Sequence, residues 1–369
     1  MWEAPVQQNR TSVGLDVHAR SIVACGLDGQ TGRLFERRLC PDHTEIISWV
    51  RSLPWPVAVT YEAGPTGFGL ARFLTAEGID CLVAAPSMLQ RPAGDRVKTD
   101  VRDARHLARL LHLGEITAVA VPSVEQEAAR DLVRAREDVR GDLMSARHRL
   151  SKLLLRHGIV YYGGRAWTGR HDQWLRAQRR SAVFAAPALG MAFDIAYDTV
   201  LAAVARRDRL DAAITAMAAA SEHTPVVRRL CCLRGVATLT AFGLAVEIGD
   251  WHRLTGRGMG AYLGLVPSES SSGASRSQGS ITKTGNGHAR RLLIEAAWHH
   301  RTPLRPTVAL RRRQDAAGPA ARDRGQRANR RLHARWIAFD ARRKQPAVAN
   351  TAIARELAGW CWSLAVLKD

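Results

Sequence analysis

What this sequence lacks excludes several classes of protein. Its six cysteines (Cys25, Cys40, Cys81, Cys231, Cys232 and Cys361) include no CxxC pair and no Cys/His spacing suited to zinc. Neither a disulfide framework nor structural zinc is expected, and reduced thiols in a cytosol are the simplest reading. The first ten residues carry no apolar h-region, so no secretory signal is expected. The most apolar stretch, 182–205, is interrupted by Pro187, Asp194 and Asp198, which argues against a bilayer span and a membrane partner. The glycine-rich runs at 64–69 and 256–260 lack the G-x-G-x-x-G order after a strand and read as turns. No repeat of solenoid length is present.

Acidic side chains are also in deficit. Lys and Arg number 54 against 34 Asp and Glu, a formal charge of +20 over 369 residues. Residues 1–120 hold 13 basic and 13 acidic side chains, 121–300 hold 25 and 16, and 301–369 hold 16 and 5. A neutral head followed by a strongly basic remainder predicts a catalytic module joined to a grip for a polyanion. The length allows two or three domains.

Residues 11–39 predict three antiparallel strands: 11–17 alternates, a second strand follows at 21–27, and Asp28-Gly29 supplies the turn to a third. A helix over 42–53, a strand over 56–62, a helix over 68–77 and a strand over 80–84 complete an α/β module of mixed sheet, with a last helix over 99–113. Residues 125–157 repeat apolar side chains every seven positions (Leu132, Val139, Ala146 and Leu153; Leu143 and Leu150), which predicts a long helical pair of coiled-coil type. From 224 onward a helix, the turn Gly235-Val236-Ala237 and a second helix resemble a phosphate-gripping helical hairpin, with a plain hairpin as the other reading. A Ser/Gly-rich loop over 268–280 and a helix from 287 come next. The Arg/Ala-rich stretch 311–345 fits either a solvated basic helix or a disordered segment.

Four acidic residues stand out. Asp16 lies mid-strand on the side opposite Val13, Leu15 and Val17. Glu62 ends an apolar strand, where a carboxylate is costly unless paired or metal-bound. Asp100 and Asp103 are i and i+3 on one helix and share a face. Singly, the ordinary reading is favoured for each: Asp16 as a strand-end or turn carboxylate, Glu62 as a helix-capping acid, and Asp100 and Asp103 as a dipole-favoured first turn. Together they form a set of hard oxygen ligands suited to two Mg²⁺ or Mn²⁺ ions in phosphoryl transfer. Lys98 precedes this helix, where a cation would either touch a scissile phosphate or balance the acids. Downstream, an ordered apolar entry (Ala261-Tyr262-Leu263-Gly264-Leu265-Val266-Pro267) leads into the serines, and Lys283, Asn286, Arg290 and Arg291 follow before a helix. That polar set is more than a flexible linker requires.

These blocks resemble a known family. Val-Gly-Leu-Asp16-Val-His, Val-Thr-Tyr-Glu62-Ala-Gly and Lys98-Thr-Asp100-x-x-Asp103-Ala look like the DEDD tetrad of a family of insertion-sequence transposases, the group that includes Piv-type invertases. The Tyr-Leu-Gly-Leu-Val-Pro…Ser-Ser-Gly…Ile-Thr-Lys-Thr-Gly-Asn…Arg-Arg-Leu-Leu block is similar to that family's C-terminal domain. The resemblance covers most of 11–300. It implies a ribonuclease H-like (RuvC-like) α/β domain over 8–120, a coiled-coil spacer over 121–222, and a mainly α C-terminal domain over 223–369 bearing the serine loop. It further implies cutting and rejoining of double-stranded DNA, a structured guide RNA, and residence in the bacterial cytoplasm at the nucleoid. Within that reading Ser272, directly before Gly273, is the expected nucleophile, with Ser271 as the runner-up. Lys98, Lys283, Asn286, Arg290 and Arg291 are the expected nucleic-acid contacts. Ala237 stands where Gly is usual, and the Arg/Ala-rich 311–345 does not align with the family pattern. Heptads and the need to hold several strands favour a dimer or tetramer. The rival readings are a Mg²⁺-dependent structure-selective nuclease using water, for which Ser272 is unnecessary, and a non-catalytic nucleic-acid binder whose acids are structural.

Overall fold

The structure, a computed structural model, describes residues 10–90, 99–273 and 275–368. It divides between Ser123 and Val124 into two compact units.

In the first unit, β1 (Thr11–Val17), β2 (Ile22–Asp28) and β3 (Leu34–Leu39) form an antiparallel meander. Helix α1 (His43–Arg51) leads to β4 (Val57–Glu62), which joins β1 in parallel. Helix α2 (Gly69–Ala76) then leads to β5 (Asp80–Ala84), also parallel, and the sheet order is β3-β2-β1-β4-β5. This is the mixed sheet expected from the alternation pattern. Val13, Leu15, Val59 and Tyr61 pack on Ile46, Val50, Leu70 and Leu74 of α1 and α2. The opposite face receives α3 (Asp100–His112), whose Ala104 and Ala108 meet Val23 and Cys25. Strand alternation therefore sends Gly14 and Asp16 toward α3.

The second unit opens with α4 (Val124–Arg156), followed by α5 (Gly169–Arg179) and α6 (Pro187–Ala219). Ala129 and Val133 share a core with Ile214 and Ala218, whereas Leu143, Leu150 and Leu153 share one with Phe193, Val200 and Ala203. The two 33-residue helices thus run antiparallel, and the heptad positions Leu143, Ala146, Leu150 and Leu153 are buried. Among the described residues α6 is the one helix long and apolar enough to cross a membrane by composition. Pro187 does not interrupt it, contrary to the sequence expectation, because it occupies the first turn, where no backbone N–H is needed. Asp194 on this helix pairs with Arg179 at 2.5 Å.

Helices α7 (Thr224–Leu230) and α8 (Thr238–Ile248) flank a turn sunk in the core. Val236 is fully buried, and a Cβ on Gly235 (φ 80°) would lie 2.4 Å from the Ala296 carbonyl oxygen. After the short α9 (Gly258–Tyr262), the serine-rich segment forms an antiparallel hairpin of β6 (Pro267–Ser272) and β7 (Ser275–Ile281), where the sequence predicts a loop. Then come α10 (Gly287–Ala297), α11 (Val308–Asp315), α12 (Pro319–Ala341) and α13 (Pro346–Ala365). The Arg/Ala-rich stretch is folded: Leu332 and Trp336 of α12 are fully buried in the core they share with Ile353 and Leu357 of α13.

Candidate metal centre and serine hairpin

Asp16 and Asp100 converge from strand and helix. Thr99 caps α3, its side chain accepting from the Arg102 amide, and this puts Asp100 and Asp103 in the first turn. Asp16 is 20% exposed on its side chain, Asp100 47%. His18, two residues beyond Asp16, lies between them: its Nε2 is 3.2 Å from Asp16 Oδ2 and 3.9 Å from Asp100 Oδ1. Arg38 on the edge strand reaches Asp100 at 3.8 Å. Burial pushes the Asp16 carboxyl above its usual range; His18 opposes this, and the charges of Asp100 and Asp103 add to it.

Asp16, His18 and Asp100 each offer a ligand atom, and all three lie within 4.8 Å of one another. That span suits one divalent cation, to which the two carboxylates would offer hard oxygen ligands and His18 a nitrogen. Glu62, the last residue of β4, follows the Leu15–Tyr61 pair and faces the α3 side by alternation, but stands outside this group, as does Asp103. Asp103 still acts on Asp16 electrostatically. An open groove of about 560 Å³ beside Asp100 is walled by Glu36, Arg37, Arg38 and Val101, so two cationic side chains and a further acid line it. Sequence reasoning missed His18 and Arg38. The signal for His18 was its i+2 spacing from Asp16; Arg38 had none, since only the β2–β3 register brings it near. Lys98 lies outside the described residues.

In the second unit, Ser272 closes β6 beside Gly273, whose φ of 54° is a turn conformation that favours glycine. Ser272 pairs with Ser275, Ser271 with Arg276 and Ser270 with Ser277. Alternation puts Ser270 and Ser272 on one face and Ser271 on the other, where its hydroxyl donates to Glu269 at 2.9 Å. All three serines are exposed.

The residues after the hairpin are anchored inward. Asn286 caps α10 by accepting from the Ala289 amide and donates to Glu247 at 2.6 Å. Arg290 donates to the carbonyls of Leu263 and Thr284. Arg291 pairs with Glu137 and with Glu295. Of the expected nucleic-acid contacts, Lys283 is exposed, in the left-handed region at φ 55°. Glu247, which the sequence did not single out, has a fully buried side chain that also accepts from Arg134 at 2.9 Å and His288 at 3.0 Å. Burial alone would raise its pKa; the hydrogen bonds from His288, Arg134 and Asn286 overcome this and hold it at about 2.

Two family models match the chain in this order. A DEDD transposase model of the IS110 group covers residues 13–159, and one described as "Transposase IS116/IS110/IS902 family" covers 227–309. A putative transposase, y4qE, of Sinorhizobium fredii is 42% identical over 83% of this chain and 74% of its own length. The transposase for insertion sequence element IS1533 of Leptospira borgpetersenii is 29% identical over 92% of this chain and 99% of its own. The transposase for insertion sequence element IS1111A of Coxiella burnetii is 24% identical over 77% and 76%. The two models and these relatives show a DNA transposase, an enzyme of a class that typically uses a divalent metal. The chain belongs to the IS116/IS110/IS902 transposase family.

Proposed function

We propose that this transposase cuts and rejoins DNA through a covalent phosphoserine link at Ser272. The observation that carries the choice is the hairpin's alternation: Ser271 is engaged by Glu269, whereas Ser272 sits on the other face, exposed beside the Gly273 turn. Ser272 Oγ bonds to phosphorus, one sugar oxygen leaves as a hydroxyl, and a second strand's hydroxyl later reverses the exchange. The phosphodiester energy is conserved, which water as nucleophile would forfeit. Asp16 and Asp100, with Glu62 and Asp103 as neighbouring acids, hold Mg²⁺ or Mn²⁺. Such a cation offsets charge on the phosphoryl oxygens. Arg38 orients Asp100, and Lys283 contacts backbone phosphate. Residues 121–222 act as a coiled-coil spacer in a dimer or tetramer, and a structured guide RNA selects the DNA sites.

Trapping on a nicked suicide duplex with Mg²⁺ tests the central step. A protein–DNA adduct mapping to Ser272 by mass spectrometry, absent in Ser272→Ala, is the expected result. An adduct that persists in Ser272→Ala overturns the assignment, and cleavage without any adduct supports the hydrolytic nuclease instead. Sequencing RNA that co-purifies with the protein tests the guide; no enriched structured RNA would remove it.

A further inference from the structure

A second cavity, of about 390 Å³, lies among α4, α5 and α6, in the second unit. No part of the proposed chemistry uses it. Its walls are of two kinds. Tyr197, Val200, Leu201 and Val204 of α6 make an apolar side. Arg147 of α4, Arg207 of α6 and the N-terminus of α5, capped by Thr168, make a cationic one. Trp167 stands at the junction with Arg147 stacked over its ring at 5.0 Å, and its backbone is held in the left-handed region at φ 64°. For so bulky a residue that is a strained conformation.

Two polar atoms here have no partner among the described residues. His171 is 5% exposed, and its Nδ1 is buried without a hydrogen bond. Arg147 Nε is in the same state. The Arg147 cation is also disfavoured, by burial first and by the Arg207 charge second. Two guanidinium groups that repel one another and an unused imidazole nitrogen are what an anion would satisfy. One carboxylate also lines the cavity, Asp172, and it is engaged by Tyr197 and Arg176, from which it accepts; Asp208, next to Arg207, accepts from that guanidinium. An anion alone does not explain the apolar and aromatic side, which suits a flat ring.

We infer that this cavity binds one unpaired nucleotide of a single-stranded nucleic-acid segment. The base lies against Tyr197 and Leu201 beside Trp167, and the phosphate is held by Arg147, Arg207 and the first amides of α5. An apolar aromatic slot next to a cationic rim is the combination that captures single strands without reading sequence, whereas duplex bases are stacked away from it. The inference does not depend on Ser272 or on the identity of any guide.

The test uses the full-length protein and single-stranded 12-mers of ribo- or deoxyribonucleotides carrying 5-iodouracil, with a duplex of the same length as control. Irradiation should cross-link the single strands to Trp167 or Tyr197, mapped by mass spectrometry. Arg147→Gln, and Leu201→Trp, which fills the slot from a partly exposed position, should each weaken single-strand binding by about ten-fold, the scale of one lost stacking contact. Both should leave duplex affinity within about two-fold. Circular dichroism verifies that each variant is folded. Cross-linking of only the ribo-oligomer assigns the pocket to RNA, of only the deoxy-oligomer to a DNA strand, and of both to nucleotide chemistry without 2′-OH readout. Cross-links confined to residues outside the cavity, or single-strand affinities unchanged in both variants, overturn the inference.

Discussion

Gly14 of β1 lies directly beneath Ala104 of α3: a Cβ at Gly14 would sit 2.2 Å from the Ala104 carbonyl oxygen and 2.5 Å from the Ala108 amide nitrogen. Only the missing side chain lets the helix rest on the sheet. That close approach carries Asp100, one turn before Ala104, down to Asp16, two residues beyond Gly14. The obstructing atoms are backbone, so a neighbouring rotamer change cannot relieve the clash.

Gly14→Ala is therefore expected to lift α3 and to cost about 1–3 kcal/mol, as for an overpacked core. Thermal unfolding with and without Mg²⁺ or Mn²⁺ would show a lower midpoint and a smaller stabilisation by the cation. An unchanged cation effect would separate the helix position from the metal site.

Asp16→Asn and Asp103→Asn should each abolish Mg²⁺- or Mn²⁺-dependent cleavage while the fold survives. The sign for stability runs the other way at Asp16. Its folded-state pKa is raised above the ordinary 3.8, so the stability it contributes is present below 3.8 and is lost as pH rises through the raised value. With cations chelated at neutral pH, Asp16→Asn should thus melt higher than the parent, and the difference should vanish in acid. Cleavage retained by either variant would remove that residue from the site.

Glu247 behaves oppositely. Its pKa is depressed to about 2 from 4.5, so its contribution is present above 4.5 and is lost as pH falls toward 2. Glu247→Ala leaves Arg134, Asn286 and His288 without their shared acceptor and should cost about 3–5 kcal/mol. Asn286→Ala, which removes one hydrogen bond and a helix cap, should cost about 1–2 kcal/mol. Urea unfolding of the three proteins would rank them, and a neutral Glu247→Ala would refute the anchoring role.

DNA affinity should fall steeply with salt, by about 0.9 log units per log unit of salt for each phosphate neutralised. Arg311 and Arg312 are exposed on α11, in the strongly basic stretch 301–369. Arg311→Gln combined with Arg312→Gln should flatten the slope by up to about 2. Fluorescence anisotropy on a duplex at four salt concentrations measures it, and an unaltered slope places the DNA elsewhere.

The parts of this molecule that were legible beforehand are those whose pattern is local. Strict alternation from Thr11 to Val17 and the apolar run ending at Glu62 specify strands, and Thr99 before Asp100 marks a helix start. The hairpin at 267–281 was illegible because Ser and Gly are poor strand formers, and its pairing depends on the register between two segments. The helix α12 was hidden under its arginines: Leu332 and Trp336 meet partners from α13 that no short window contains. Asn286 and Arg290 looked like free cationic or polar contacts because their acceptors, Glu247 and the Leu263 and Thr284 carbonyls, are supplied by tertiary packing. His18 was in view but unassigned until α3 brought Asp100 beside it.

The alternation of β6 also constrains how this hairpin can change over generations. Adding or deleting one residue between Glu269 and Ser272 would turn every later side chain to the opposite face, so that a different hydroxyl occupied the position beside the turn. Changes of two residues would keep the faces and alter only the reach. Length variation in this element is thus tolerated by parity: odd steps exchange the presented serine for its neighbour, and even steps make a longer or shorter arm with the same tip.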